Sequence, residues 1–430
     1  MNVKKQSIMM RLAQHFNRFQ SAAVYQIMQR SLTLLFPFVL IGSISQLIQL
    51  ALFNRNSFVV NVFHLSNWLS KRNIFQMMFD SITSLTLGIV AALAAMCAAR
   101  YTAKRYKRDE QLASITGLIA YLILALRLTP NEGLSFNSEM LGMGGLFFGL
   151  LVGYLTGLAF KKLGRPHRRD LPLNGSAVGR SLDSMWAILL VLGVILGLSV
   201  LLNWLAISIL PDQVILRLQS LKANQTGLLF TLGTGLAATS LTFFGLTSMP
   251  TLAQFGREGI ASSANLNYAF SHHTAWHVPY PFTLGTLYEP FGAIGGTGGT
   301  LALVIAVFIF SKQRDYHLIG RWSLLPVLFN FNSAVLVGMP VIGNGLYVIP
   351  FLLVPLVNMG IASAAVALNL MPSVVFTVPL GTPGLLQAFM GTNGNLVALA
   401  VTVLNVVVGV MIYKPFVQLA DQLALVKEAA

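Results

Sequence analysis

Charge is what this sequence lacks most. Only 10% of its 430 residues are Asp, Glu, Lys or Arg, whereas 55% are hydrophobic. A soluble domain carries roughly 25% charged residues, so a globe of this size could not cover its surface with the charge available. The same numbers exclude a disordered chain, which needs low hydrophobicity, and a collagen-like repeat. Cysteine is nearly absent too. A single Cys97 rules out a disulfide framework within one chain and any cysteine-built metal cluster. With a mean hydropathy of +0.71, the chain belongs in a bilayer.

Catalytic signatures are also missing. There is no GxxxxGK[ST], no HExxH and no GxSxG. The sequence therefore carries no self-contained catalytic motif and implies no cofactor. The run Gly295-Gly296-Thr297-Gly298-Gly299 looks like a phosphate loop, but the Lys is absent and a hydrophobic helix follows. Two readings stay open for it: a helix start offering bare N–H groups to a hydroxyl or phosphate, or simple tight packing.

What charge there is leans one way, 28 basic against 13 acidic residues. The bases sit in short runs between apolar stretches, where they act as topology signals rather than as a nucleic-acid footprint. Residues 1–30 are polar and mildly amphipathic, with Ile8, Leu12, Phe16 and Phe19 on one side. They read as an interfacial helix rather than a secretory signal.

A span needs about 20 apolar residues. Candidates run over 31–53, 74–99, 112–128, 139–160, 184–210 and 227–249, then 264–290, 293–310, 345–370 and 395–413. Two further apolar segments, 323–342 and 371–391, are broken by Pro and Gly and read as re-entrant hairpins. Ten crossings with both termini in the cytoplasm place 22 Lys/Arg inside and six outside, as the positive-inside rule prefers. The expected architecture is an all-α polytopic membrane protein of about ten transmembrane helices plus two re-entrant hairpins. Its expected parts are residues 1–30 at the interface, 31–210 as scaffold and dimerisation part, 211–421 as substrate part, and a tail, 422–430. Gly145, Gly149, Gly153 and Gly157 form a four-residue stripe, and Gly193 and Gly197 repeat the spacing; such stripes let helix backbones approach closely.

Few polar residues lie in apolar surroundings, so each is a candidate site. Glu289 in Tyr288-Glu289-Pro290-Phe291 is followed by apolar, Gly-rich sequence. It reads either as a functional acid or as an interfacial one beside a kink. His272, His273, Trp276 and His277 cluster in one stretch. If it is helical, His273 and His277 share a face. No carboxylate other than Glu289 completes a ligand set, so no metal is expected. A pocket for a neutral polyol suits the cluster better, with Trp276 stacking on a pyranose and the imidazoles hydrogen-bonding. Phe329-Asn330-Phe331-Asn332-Ser333 is the strongest pointer. Transporters bind substrate at discontinuous helices, and amides buried in lipid need partners: sugar hydroxyls, or the hairpin's own backbone.

From about Val24 to Asp421 the chain resembles enzyme IIC, the membrane permease component of bacterial phosphotransferase-system sugar transporters of the lactose/cellobiose/diacetylchitobiose type. Phe36-Pro37 through Ile41-Gly42-Ser43 is similar to that family's first span, and Leu146 onward to its fourth. Gly295-Gly296-Thr297-Gly298-Gly299-Thr300-Leu301 resembles its glycine-rich turn, and Tyr413-Lys414-Pro415-Phe416 its ending. Phe329-Asn330-Phe331-Asn332, followed by Gly338-Met339-Pro340, is similar to its sugar-site hairpin. The resemblance implies a homodimer in the bacterial cytoplasmic membrane. An elevator-like motion would move a sugar, with phosphorylation by a separate soluble IIB protein. The chain itself carries no IIA or IIB module, and Cys97 lies in a span where it cannot serve as a IIB phosphocysteine.

The sequence also departs from that pattern. Where the family has Glu-Pro, this chain has Ser333-Ala334. Where it has a His-Gly pair, Thr247-Ser248 follows Phe243-Phe244-Gly245-Leu246, and Leu380 replaces a Trp. A charged hydrogen bond to a sugar is worth roughly 1.5–3 kcal/mol. Two functions are compatible with this. One is a disaccharide permease using Asn330, Asn332, Ser333, Thr247 and Thr297, with Glu289 and the histidine cluster replacing the lost pair. The other is a transport-inactive sensor or scaffold that binds a ligand or partner without phosphotransfer. A proton-coupled carrier is disfavoured, since no embedded acid–histidine relay is evident.

Overall fold

The computed structural model describes residues 22–54, 56–64, 72–129, 133–164, 177–209, 227–246 and 260–429. Helix α1 (Ala23–Ile48) runs into a wide π-type turn, Gln49–Phe53. Short α2 (Phe58–Val62), α3 (Arg72–Thr86), α4 (Val90–Arg105) and α5 (Glu110–Leu124) follow. A hairpin interrupts the helices, β1 (Leu126–Thr129) antiparallel to β2 (Gly133–Phe136), with Leu126 opposite Phe136. Then come α6 (Ser138–Leu141), α7 (Leu146–Leu163), α8 (Ala177–Ile209), α9 (Leu228–Phe243) and α10 (Ile260–His272). A second π-type turn, Leu284–Gly292, leads to α11 (Thr300–Phe310), α12 (Arg314–Leu328), α13 (Ser333–Gly338), α14 (Gly345–Ala367), α15 (Gly384–Gly391) and α16 (Leu396–Ala429).

The class is all-α and polytopic. Among the described residues, six helical stretches are long and apolar enough to cross a membrane, including 73–105, which a turn divides into α3 and α4. Three apolar helices are shorter: Glu110–Leu124, Leu228–Phe243 and Thr300–Phe310. Several expected spans are not continuous helices: 74–99 turns at 87–89, the helix of 112–128 ends at Leu124, and 139–160 is broken at Gly142 ahead of α7. Residues 264–290 break after His272, where His273 turns to φ +53°, and Pro279 and Pro281, which lack N–H donors, keep the helix from resuming there. In 293–310 the glycine-rich run holds a turn up to residue 299, which leaves only the 11 residues of α11. Both Pro/Gly-rich segments are broken as read. Residues 329–332 form a turn between α12 and α13, and 371–383 form no helix ahead of α15.

The chain divides into two compact units, one within 20–37 and 86–218, the other within 38–85 and 219–430, with 1–19 assigned to the latter. The stretch 38–85 thus groups with the second half of the chain. In the first unit, α4 carries seven alanines among its 16 residues and packs between α5 and α7. Ala91, Ala95 and Ala98 are wholly buried. A Cβ on Gly149 would fall 2.2 Å from the Ala91 carbonyl oxygen, and one on Gly153 2.2 Å from that of Ala95. The stripe is therefore a contact of backbones, the form of packing available where lipid supplies no hydrophobic force between helices. Gly193 and Gly197 differ: a Cβ on either meets nothing within 4 Å. Their helix, α8, is fastened instead by Ser199, which donates to the Ile123 carbonyl (3.0 Å), and by Asn203, which donates to that of Leu126 (3.1 Å).

In the second unit, α16 closes onto the loop between α11 and α12 through a buried carboxylate. Asp421 accepts from the Ser311 hydroxyl (2.8 Å), the Lys312 backbone N–H (2.6 Å) and the Gln313 amide (3.1 Å). Its core gathers Leu287, Tyr288 and Phe291 of the π-type turn against Met359 and Ala362 of α14.

Candidate functional site

The two broken segments meet the second π-type turn around a cavity of about 330 Å³, at the small end of the roughly 300–1,000 Å³ usual for ligand sites. Glu289 and Asn330 both line it, flanked by Phe329 and Phe331. One wall is formed by residues 374–382. That wall is held at each end. Val375 and Phe376 N–H groups both donate to the Gly391 carbonyl (2.9 and 3.0 Å). Leu380 pairs with the loop after the first π-type turn, its N–H donating to Asn56 O (3.1 Å) and its carbonyl accepting from Phe58 N–H (2.8 Å). Extended backbone of this kind survives at membrane depth only where protein buries it or it borders a cavity.

The asparagines fasten the glycine-rich turn to the cavity. Asn330 adopts φ +68°, a left-handed conformation that Asn tolerates, and its Oδ1 accepts from the Gly295 N–H at 2.6 Å. Asn332 Nδ2 donates to the Thr297 carbonyl at 2.9 Å. A Cβ on Gly296, at φ +99°, would lie 2.5 Å from Asn332 Cγ, so only glycine fits here. From the other side, Tyr413 donates its hydroxyl proton to the Gly298 carbonyl (2.7 Å), and the Thr300 hydroxyl bonds the Gly295 carbonyl. The N–H groups of Gly295, Gly296 and Gly299 are taken by Asn330, Ala293 and Gly296. These bonds hold the turn in place, and both readings of the run stay open, since the N–H groups of Thr297, Gly298 and Thr300 have no partner among the described residues.

The structure thus brings together Glu289 and Asn330, with Asn332 and Thr297 bonded beside them. Ser333 opens α13, half-buried and outside the cavity lining. Thr247 lies outside the described residues. The histidine cluster does not line the cavity. His272 ends α10, exposed, with Nδ1 within 2.9 Å of Ser271 Oγ and its ring stacked on Tyr268 at 4.0 Å. His273 and His277 are exposed and not helical; both have positive φ, +53° and +57°, so the helix-face spacing between them does not arise. Trp276 sits half-buried in the same turn, its ring 6.5 Å from that of His277. No group of three His, Cys, Asp or Glu able to hold a metal occurs among the described residues.

Sequence reasoning missed several residues that build the cavity. Asn265 of α10 holds the loop after it by a reciprocal pair, its Nδ2 donating to Tyr280 O (2.7 Å) and its Oδ1 accepting from Tyr280 N–H (2.9 Å). Thr286 forms a capping box with Thr283 at the start of the π-type turn. Thr231 of α9 donates to the Phe282 carbonyl (2.9 Å), and Thr239 shares a hydrogen bond with Tyr288 (3.1 Å). An available signal was the run Val374-Val375-Phe376-Thr377-Val378-Pro379, whose β-branched and aromatic residues favour extended chain.

Comparisons with known proteins agree on one family. The model of the phosphotransferase system EIIC family matches residues 29–355. The cellobiose-specific EIIC component of Lactococcus lactis subsp. lactis is 43% identical over 136 residues, 32% of this chain and 28% of that protein. The oligo-beta-mannoside-specific EIIC component of Bacillus subtilis is 23% identical over 421 residues, 96% of this chain and 92% of that one. Among solved structures, the transporter ChbC, the IIC component from the N,N'-diacetylchitobiose-specific phosphotransferase system, aligns over 96% of this chain and 97% of its own. Its TM-score is 0.41 and its identity 22%. With three quarters of its length matched by the family model, this chain belongs to the phosphotransferase system EIIC family.

Proposed function

We propose that this protein is a sugar permease that binds a neutral disaccharide in the cavity bordered by Glu289 and Asn330 and carries it across the bacterial cytoplasmic membrane. A separate soluble IIB protein then phosphorylates the sugar. The observation that carries this reading is the placement of one acid and one amide in a cavity where two broken helical segments meet. Relatives named for cellobiose and oligo-beta-mannosides point to a β-linked disaccharide as the class to try first.

In this reading Glu289 supplies the carboxylate that position 333, a serine, does not. As phosphate arrives from IIB, the acceptor hydroxyl forms a new O–P bond, the bond from phosphorus to its IIB carrier breaks, and the hydroxyl proton passes to the Glu289 carboxylate as general base. The amide of Asn330 keeps two Nδ2 protons, either of which can meet a sugar oxygen while Oδ1 holds Gly295. The protein acts as a homodimer with both termini in the cytoplasm. The open face of α8, where Gly193 and Gly197 meet nothing, is available to lipid or to a second copy.

The test is uptake of labelled cellobiose, mannobiose, lactose and diacetylchitobiose by cells with and without the cognate IIB, alongside equilibrium binding to purified protein. IIB-dependent accumulation of sugar phosphate that is lost in Glu289→Gln supports the reading. Binding without uptake or phosphotransfer would leave a transport-inactive scaffold, and no binding of any of the four would remove the cavity as a sugar site.

A further inference from the structure

Most polar side chains around the cavity are already committed to the protein. Both ends of the Asn265 amide hold Tyr280, Thr286 bonds Thr283 and Pro281, and Thr382 donates to the Pro379 carbonyl at 2.7 Å. Asn330 has spent its oxygen on Gly295. Gln387 differs. It projects from α15 into the cavity lining, is half-buried, and its side-chain amide has no hydrogen-bond partner among the described residues. A half-buried amide facing a cavity can be paired by water there, and a ligand hydroxyl that displaces that water takes over its bonds. Among the described residues, the cavity lining contains no Lys, Arg or His to meet an anion.

We infer that Gln387 is a specificity-determining residue of the cavity, where its amide reads one hydroxyl of a neutral sugar by donating and accepting at the same position. The inference rests on the proposed sugar-binding role of the cavity and names the side chain that selects within it. The carboxamide suits a hydroxyl, which is both donor and acceptor, and offers no counter-charge to a phosphate or carboxylate.

The experiment replaces Gln387 by Met, which keeps length and bulk and removes both hydrogen-bonding ends. Binding of cellobiose and of a monodeoxy-cellobiose series to purified protein is measured for wild type, Gln387→Met and Glu289→Gln, together with unliganded melting temperatures. One neutral hydrogen bond predicts a loss of about 3- to 10-fold in cellobiose affinity for Gln387→Met at unchanged melting temperature. In transport, the apparent KM should rise by the same factor with kcat retained. One deoxy analogue should bind wild type weaker by that factor and bind Gln387→Met no weaker than cellobiose does. Unchanged affinity in Gln387→Met with weakened binding in Glu289→Gln overturns this inference and leaves the cavity as the site. A fall in melting temperature that tracks the affinity loss, with no deoxy analogue singled out, makes Gln387 a packing residue and also overturns it. If neither variant alters binding, or wild type binds no sugar in the series, the proposed site fails and the inference with it.

Discussion

Glycine does opposite work in the two units. Along α7 it supplies absence: no side chain stands between Gly149 or Gly153 and the carbonyls of Ala91 and Ala95, and the helices lock backbone to backbone. In the turn ahead of α11 it supplies conformation, with Gly295, Gly296, Gly298 and Gly299 all at positive φ and side chains of Asn330, Asn332 and Tyr413 gripping the exposed peptide groups. The first arrangement closes helix directly against helix. The second breaks helices on purpose, and the peptide groups so released border a cavity. Rigidity and binding are built from one residue type by changing which constraint it lifts.

Five substitutions would break or sharpen that contrast. Gly153→Leu forces a side chain against the α4 backbone, which cannot give as a flexible side chain could. It should abolish a monodisperse peak in detergent gel filtration, whereas Gly193→Leu on the open face of α8 should leave that peak intact. A change of oligomeric state in Gly193→Leu alone would show that this face meets a second copy. Asp421→Ala removes three hydrogen bonds from a buried carboxylate and should lower stability by roughly 1.5–3 kcal/mol, read by thermal melting. Gly296→Ala meets both a left-handed backbone and Asn332, so a cost of about 1–2 kcal/mol is expected, with weaker sugar binding because the turn shifts. The smallest effect is a gain. Leu380→Trp adds an aromatic face to the cavity lining and should tighten cellobiose binding a few-fold, with a melting temperature unchanged in the absence of sugar. Weaker binding in that variant would mean the cavity lacks room for both ring and sugar.

Much of the fold was legible because lipid makes long apolar runs nearly synonymous with helices. The helices of 345–367 and 396–424 lie where hydropathy put them. Averaged hydropathy failed where single residues decide. The glycines of 295–299 stand ahead of a strongly apolar run yet end helical geometry, and 264–290 has the length of a span but holds three histidines, Pro279 and Pro281. The β1–β2 hairpin fell inside a stretch read as the end of a span and the loop after it, its strands only four residues each. At the site, Asn330 and Glu289 stood out as polar residues in apolar surroundings, and the cavity holds both. The histidines stood out equally but sit on an exposed turn, since composition marks an unusual residue without telling which side of the wall it is on. Gln387 was overlooked because one amide in Leu385-Leu386-Gln387-Ala388 carries no motif.

The wall formed by residues 374–380 has a consequence for how such sites diverge. Its ends are tied by Val375, Phe376 and Leu380, while the peptide groups of Thr377 and Val378, two residues of the cavity lining, have no hydrogen-bond partner among the described residues. Those donors and acceptors belong to the polypeptide and not to any side chain, so no substitution short of proline or a shift in register can delete them. A lineage could exchange every side chain along this strand, as Leu380 stands where its relatives' pattern has Trp, and still present the same peptide edge to a ligand. Sequence identity in this stretch then tracks the shape and stacking of the cavity, while its underlying hydrogen-bonding capacity is inherited silently with the backbone.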